Sequence, residues 1–336
     1  MVQDTDSKTT ITKRISKEWI LNNFLEVLIF SFSVTMPIFL ILVLGAVLYR
    51  IRLINDNFVD VASKLVFNVT LPALLFISIS KTSLSTDTDL SLAIYAMIAV
   101  TITYFALEVL LSIWVSDKAE RAVLVQGAFR SNMGIIGLAY CVNAYGDEVF
   151  SVASGYLGGV TVLFNILSVI GLNRALGANV GLVVILKGIA KNPLIIAILA
   201  AFMASSTGFT LPSTLHKAGD YFAQMTLPLA LLCAGASLSF KSLKTGMIGA
   251  IMASVSKLIF IPLTLTLGGY WLGYRGMELG VLFLMSSAPT ASASYIMVRA
   301  MKGNATLAAN IIVITTIASL LTTSIGVTLL RSFKLI

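Results

Sequence analysis

The chain has 336 residues, of which 57% are hydrophobic and only 11% charged, whereas soluble domains carry ~25% charged residues. That composition excludes an ordinary soluble domain and points to a polytopic helical membrane protein. The formal charge of +8 is spread between apolar runs instead of gathered in a patch, which argues against nucleic acid and leaves a topology signal.

Residues 1–14 are polar and read as a disordered tail. Ile15 to Leu28 is predicted to be an amphipathic helix at the membrane surface, with Ile15, Trp19, Ile20, Phe24 and Leu28 on one side. A cleaved signal peptide is not expected, because the apolar run comes late and no small-residue cleavage site follows it. Ten spans follow, near 29–49, 58–80, 90–114, 122–145, 149–172, 192–207, 218–239, 244–268, 276–299 and 306–330, each close to the ~20 residues that cross the hydrocarbon. Residues 173–191, with Arg174, Lys187 and Lys191, read as a short surface linker between two halves, 29–172 and 192–336.

The halves repeat. Thr70-Leu-Pro in span two returns as Thr226-Leu-Pro in span seven, an offset of 156, and the same offset takes Pro37 to Pro193 and Met133 to Pro289. An odd number of spans per half sets the halves in opposite orientations, the inverted-repeat architecture of secondary transporters. Loops after odd-numbered spans hold Arg50, Arg52, Lys118, Arg121, Arg174, Lys187, Lys191, Lys241, Lys244, Arg299 and Lys302. The other face holds Lys81, Lys217, Arg275, Arg331 and Lys334. The excess places the odd loops in the cytoplasm and both termini outside, although the basic tail (Lys8, Lys13, Arg14, Lys17) argues the other way.

Chemistry is concentrated in spans four and nine. Span four carries Arg130, Ser131, Asn132 and Gly134 at mid-depth; span nine carries Ser286, Ser287, Pro289, Thr290, Ser292 and Ser294. An intramembrane arginine costs ~3 kcal/mol on insertion scales and marks a functional site by default. Asn132 and Gly134 weaken the helix, and Pro289 lacks an N–H, so both spans are expected to break. Each second half then presents a positive N-terminus, and with Arg130 the pair favours an anion, a carboxylate above all. Taken alone, the Arg130 stretch fits equally a kinked helix whose polar side chains cement its neighbours, and the small residues of both spans also suit close helix packing. Thr70 and Thr226, with Asn68 and Gln224, sit near the span-two and span-seven prolines and are candidates to line the same cavity. Lys257 lies mid-way in span eight, too deep to snorkel easily, and suits a carboxylate or substrate partner. Glu108 and Lys64 read as interfacial.

The two cysteines fall within apolar runs, and the single His216 lies in a loop, so no metal or cofactor site is expected. No P-loop, H-E-x-x-H or G-x-S-x-G pattern is present, and an enzyme is not expected.

Arg130-Ser-Asn-Met-Gly with Tyr145-Gly146, Asn192-Pro193, Pro228-Leu-Ala-Leu-Leu-Cys-Ala-Gly-Ala-Ser237 and Ala288-Pro-Thr-Ala-Ser292 resemble the auxin efflux carrier family over roughly residues 29–331. Its members include plant auxin carriers and bacterial permeases for malonate- and malate-like anions. The resemblance implies ten spans in an inverted repeat with crossed, broken helices four and nine, the fold of sodium-coupled bile acid carriers. Asn132 matches the asparagine of the Pro-Asn-Thr crossover in plant members, and Pro289 their span-nine proline. Ser131 replaces the span-four proline, implying a gentler crossover. The short linker fits a bacterial small-anion permease in the inner membrane. The function expected is secondary transport of a mono- or dicarboxylate, one half serving as scaffold while the bundle of spans four and nine moves. A ligand-binding receptor without transport is the alternative. The sequence decides neither the coupling ion, H+ or Na+, nor whether the chain forms a homodimer.

Overall fold

The computed structural model describes residues 29–30, 32–81, 91–176, 187, 190–191, 193–207, 211–238 and 246–336. The predicted amphipathic helix at 15–28 and most of the linker lie outside these residues. The described residues are helical throughout, and the only β-type pairing among them is one isolated bridge.

In chain order, α1 is Phe32–Arg50. Helix α2 runs as Asp56–Leu65, a π-turn Val66–Thr70, and Leu71–Lys81, starting on an Asn55 cap that accepts from Phe58 N. Helix α3 is Ser91–Trp114 and α4 is Lys118–Phe129. Helix α5 opens with a π-turn, Met133–Gly137, and continues as Leu138–Tyr145; α6 is Phe150–Leu176, ending four residues later than predicted. Helices α7 and α8 are Pro193–Thr207 and Ser213–Ala236. Helix α9 spans Met247–Trp271 with a π-turn at Ser256–Phe260. Gly276–Ser287, Ala293–Ala300 and Ala305–Ser332 are α10, α11 and α12.

Among the described residues, six helical stretches are long and apolar enough to cross a membrane, and Pro193–Ala204 of α7 and the whole of α10 are shorter apolar helices. One of the six, Met133–Leu176, is 44 residues, or ~66 Å at 1.5 Å per residue, about twice a hydrocarbon core. Gly146 turns the chain inside it at φ 69°, a left-handed value that suits glycine, and a 3-10 turn at Gly146–Val149 leads into α6. Large apolar side chains such as Ile98, Ile102, Trp114, Ile248 and Trp271 are exposed outward, as expected for a surface facing lipid.

The helices pack in two groups. Helix α2 packs most extensively on α7 and α8. Helix α1 joins them where Gly45 and Gly235 bring two backbones together: a Cβ at Gly45 would overlap Leu232 O, and one at Gly235 would overlap Leu42 O. The second group holds α3 against α6, α4 against α3, α6 and α9, and α9 against α10 and α12. Each group takes helices from both halves of the chain, so neither packing group is a single sequence half. A repeat identifies equivalent helices; which of them pack together depends on the faces they bury. Phe30, at the start of the first helix, stacks under Arg331 near the end of α12, and Gly276 N donates to Leu335 O (2.8 Å). The start of the first helix, the α9–α10 turn and the end of α12 therefore share one face.

Candidate functional site

The chain leaves helical geometry twice within buried surroundings, between α4 and α5 and between α10 and α11. Helix α4 ends at Phe129, and Arg130 (φ −85°, ψ 100°) is extended. Helix α10 ends at Ser287, with Ala288 (φ −57°, ψ 142°) extended before Pro289. The two unwound links lie antiparallel and pair: Asn132 N donates to Pro289 O (2.7 Å), and Ala291 N donates to Arg130 O (3.0 Å). Backbone freed by each break is thus satisfied by the other, as a buried position demands. The gentler crossover expected from the missing proline is not found. Span four breaks completely, because pairing with the other link replaces the helical bonds that Ser131 alone would not have removed.

The orphan carbonyls at the two helix ends are capped from outside. Thr290 Oγ1 donates to Gly127 O in the last turn of α4 (2.6 Å), while Thr290 N donates to Thr315 Oγ1 on α12 (3.1 Å). At the end of α10, Ser286 O accepts from Lys257 Nζ (2.6 Å) and from Ser131 Oγ (3.3 Å). Lys257 Nζ also donates to Ser131 Oγ (2.5 Å). Lys257 is completely buried, on the π-turn of α9.

Arg130 points the other way, toward α6 and α11. Its Nη2 donates to Asn165 Oδ1 (2.8 Å), and its Nη1 to Ser168 Oγ (3.3 Å) and to Met297 Sδ. All three partners are neutral. Among the described residues the buried charged side chains are Arg130 and Lys257, and no carboxylate is buried. Asn132 is only 8% exposed, yet its amide has no hydrogen-bond partner among the described residues. It stands at the start of α5, whose first N–H groups have no partner within the helix. Gly134, two residues on, has room beside it: a Cβ there would lie 3.8 Å from Leu71 and 4.0 Å from Leu157, so the approach from α2 is uncrowded.

The predicted residues therefore divide. Arg130, Ser131, Asn132, Pro289, Thr290 and Lys257 meet at the crossing. Ser287 bonds within α10, to Leu284 O (3.3 Å), and Ser292 O receives Tyr295 N at the start of α11 (3.2 Å). Thr70 and Thr226 are fully buried on α2 and α8, and no hydrogen bond joins them to the crossing. Thr226 bonds Phe222 O (3.2 Å), while Thr70 Oγ1 is unpartnered. Gln224 lines a cavity of about 500 Å³ between α1, α2 and α8 on one side and α5 on the other, with Asn143, Asp147 and Asp220 as its other polar residues. Asn68 does not share it; its amide bonds Lys64 O. Asp220 is paired with His216 (3.0 Å), Glu108 with Arg121 (3.7 Å) and Lys64 with Asp60 (2.7 Å). Sequence reasoning passed over Asn165 and Ser168. Their spacing of three, on one face of an apolar helix, was the available signal.

The profile of the family described as membrane transport protein matches residues 30–176 and 176–327. An uncharacterized transporter of Methanocaldococcus jannaschii is 27% identical over 292 residues, covering 84% of this chain and 94% of the relative. One of Methanothermobacter thermautotrophicus is 25% identical over 269 residues, covering 78% and 85%. The uncharacterized transporter YfdV of Escherichia coli is 26% identical over 268 residues, covering 76% and 83%. With the family profile spanning nearly the whole helical region, the chain belongs to the membrane transport protein family, that of the auxin efflux carriers.

Proposed function

We propose that this membrane transporter is a secondary carrier that moves a small organic anion, a mono- or dicarboxylate, by alternating access. The observation that carries the reading is Arg130, a buried cation held by neutral side chains, with no carboxylate buried among the described residues. A guanidinium held only by neutral atoms lacks the partner that a buried charge ordinarily has, and a carboxylate fits its planar fork through two hydrogen bonds. The unpartnered Asn132 amide at the N-terminal end of α5 adds donors nearby. The cavity beside α5 lies between the two packing groups, where a relative movement of the groups opens and closes it.

The same reading takes ten crossings in two inverted five-helix repeats, 29–172 and 192–336, joined by a linker at 173–191. Matched breaks in α4–α5 and α10–α11 support it, as does the face shared by Phe30, Gly276 and Arg331. The moving unit is the group with the crossing, and α1, α2, α7 and α8 form the scaffold. The relatives' names support transport rather than reception.

The test is uptake of labelled mono- and dicarboxylates by proteoliposomes, with binding measured alongside. Saturable uptake of at least one, displaced by the unlabelled compound, is expected. Binding without uptake would favour a receptor, and uptake confined to neutral or cationic compounds would remove the anion assignment.

A further inference from the structure

The broken helices bring negative ends together, and the chain answers with its own cation. Each helix C-terminus carries roughly half a negative charge, so the ends of α4 and α10 together present roughly one unit. Lys257 supplies one positive unit there, from a separate helix, with Ser286 O and Ser131 Oγ as its acceptors. Both acceptors are oxygens, one carbonyl and one hydroxyl, the donor type that binds hard cations. In carriers built on discontinuous helices, half-helix C-terminal ends and unwound carbonyls are where a coupling Na+ or H+ is held. A simple cap for Ser286 O needs only a hydroxyl, as Thr290 provides for Gly127 O. Burying an ammonium completely is costly by comparison, and it is warranted where a whole charge is to be balanced.

We propose that the Lys257 ammonium is a tethered cation in the seat that a coupling sodium ion would take, and that this chain works without sodium. The consequence for transport rests on the carrier reading above; the occupancy of the seat does not. With Lys257 in place, the charge at the crossing travels with the protein through the cycle, and a sodium gradient has no purchase on it.

Purified wild type, Lys257→Ala and Lys257→Met are compared by thermal unfolding in sodium chloride and in choline chloride at equal ionic strength. The wild type is expected to unfold at the same temperature in both. Lys257→Ala should lose at least ~4 °C in choline and regain half or more of the loss in sodium. Lys257→Met, which fills the space without a charge, should lose stability and regain none. A saturable sodium shift in the wild type, or equal behaviour of Lys257→Ala in the two salts, overturns the proposal. Should Lys257→Ala fail to fold, Lys257→Ser adds a hydroxyl to the same seat and is prepared in sodium throughout. Binding of labelled sodium by that variant and none by the wild type is expected; binding by the wild type, or by neither, overturns it. Neither readout contains the transported anion, so failure here leaves the anion reading standing, and the reverse also holds.

Discussion

Arg130 donates to an amide oxygen, a hydroxyl and a thioether, and none of them neutralises it. A structural arginine at this depth would be expected to meet a carboxylate, since an unpaired buried charge is destabilising. Arg130→Gln should therefore fold with a thermal stability equal to or above that of wild type, while carboxylate binding falls at least tenfold, or ~1.4 kcal/mol. Arg130→Lys keeps the charge but not the fork, and its affinity should lie between the two. Equal affinities in a titration of all three purified proteins would make Arg130 structural. Asn132→Ala removes an amide with no hydrogen-bond partner among the described residues, so its stability should stay within ~0.5 kcal/mol of wild type while uptake is lost. Wild-type flux in that variant would take Asn132 off the route. Both residues were legible in the sequence because a polar group inside an apolar run has few bland explanations. Asn165 and Ser168 were not, since isolated polar residues in a membrane helix more often serve packing. The Lys257 contact was hidden for another reason: one acceptor is a backbone carbonyl, which no residue type announces.

The crossing is an element held by complementary ends more than by the residues that break it. Pro289 announces its own break, yet Pro228 sits inside α8 without interrupting it, so a proline alone does not decide the matter. Span four breaks without one. What the two broken helices share is a set of outside donors for their last carbonyls, and these come from positions far apart in sequence. That is why the location of the breaks could be read beforehand and their geometry could not. The Thr290 hydroxyl is the clearest case, because Gly127 O receives it at 2.6 Å in a fully buried setting. Thr290→Val preserves the shape and leaves that carbonyl unsatisfied, a cost of ~1–3 kcal/mol. Thermal unfolding in detergent should show a drop of several degrees for Thr290→Val and little change for Thr290→Ser, which keeps the oxygen. Equal melting of Thr290→Val and wild type would mean that the α4 end is satisfied in some other way.

For the whole molecule, the recurrence of residues at a 156-residue offset was readable, but the division into a group around the crossing and a group of α1, α2, α7 and α8 was not. Sequence periodicity in membrane helices separates lipid-facing from buried positions only weakly, because both are apolar. Direction across the membrane is a different kind of information, carried by loop charge. Eleven cations, Arg50 to Lys302 as enumerated above, lie on the face of the odd loops, and five, Lys81 to Lys334, on the other. The contacts of Phe30 with Arg331 and of Gly276 with Leu335 place three of the low-charge segments on one side, in agreement with that sorting. The low-charge face should therefore lie outside the cytoplasm. Ser332, exposed at the end of α12, belongs to it; Ser116, exposed between α3 and α4, belongs to the opposite face. Cys141 and Cys233 are both buried, so single introduced thiols can be read against a quiet background. In intact cells an impermeant thiol reagent should label Ser332→Cys, and it should reach Ser116→Cys only after lysis. The reverse pattern would invert the whole assignment, and the face shared by Phe30, Gly276 and Arg331 would then be the cytoplasmic one.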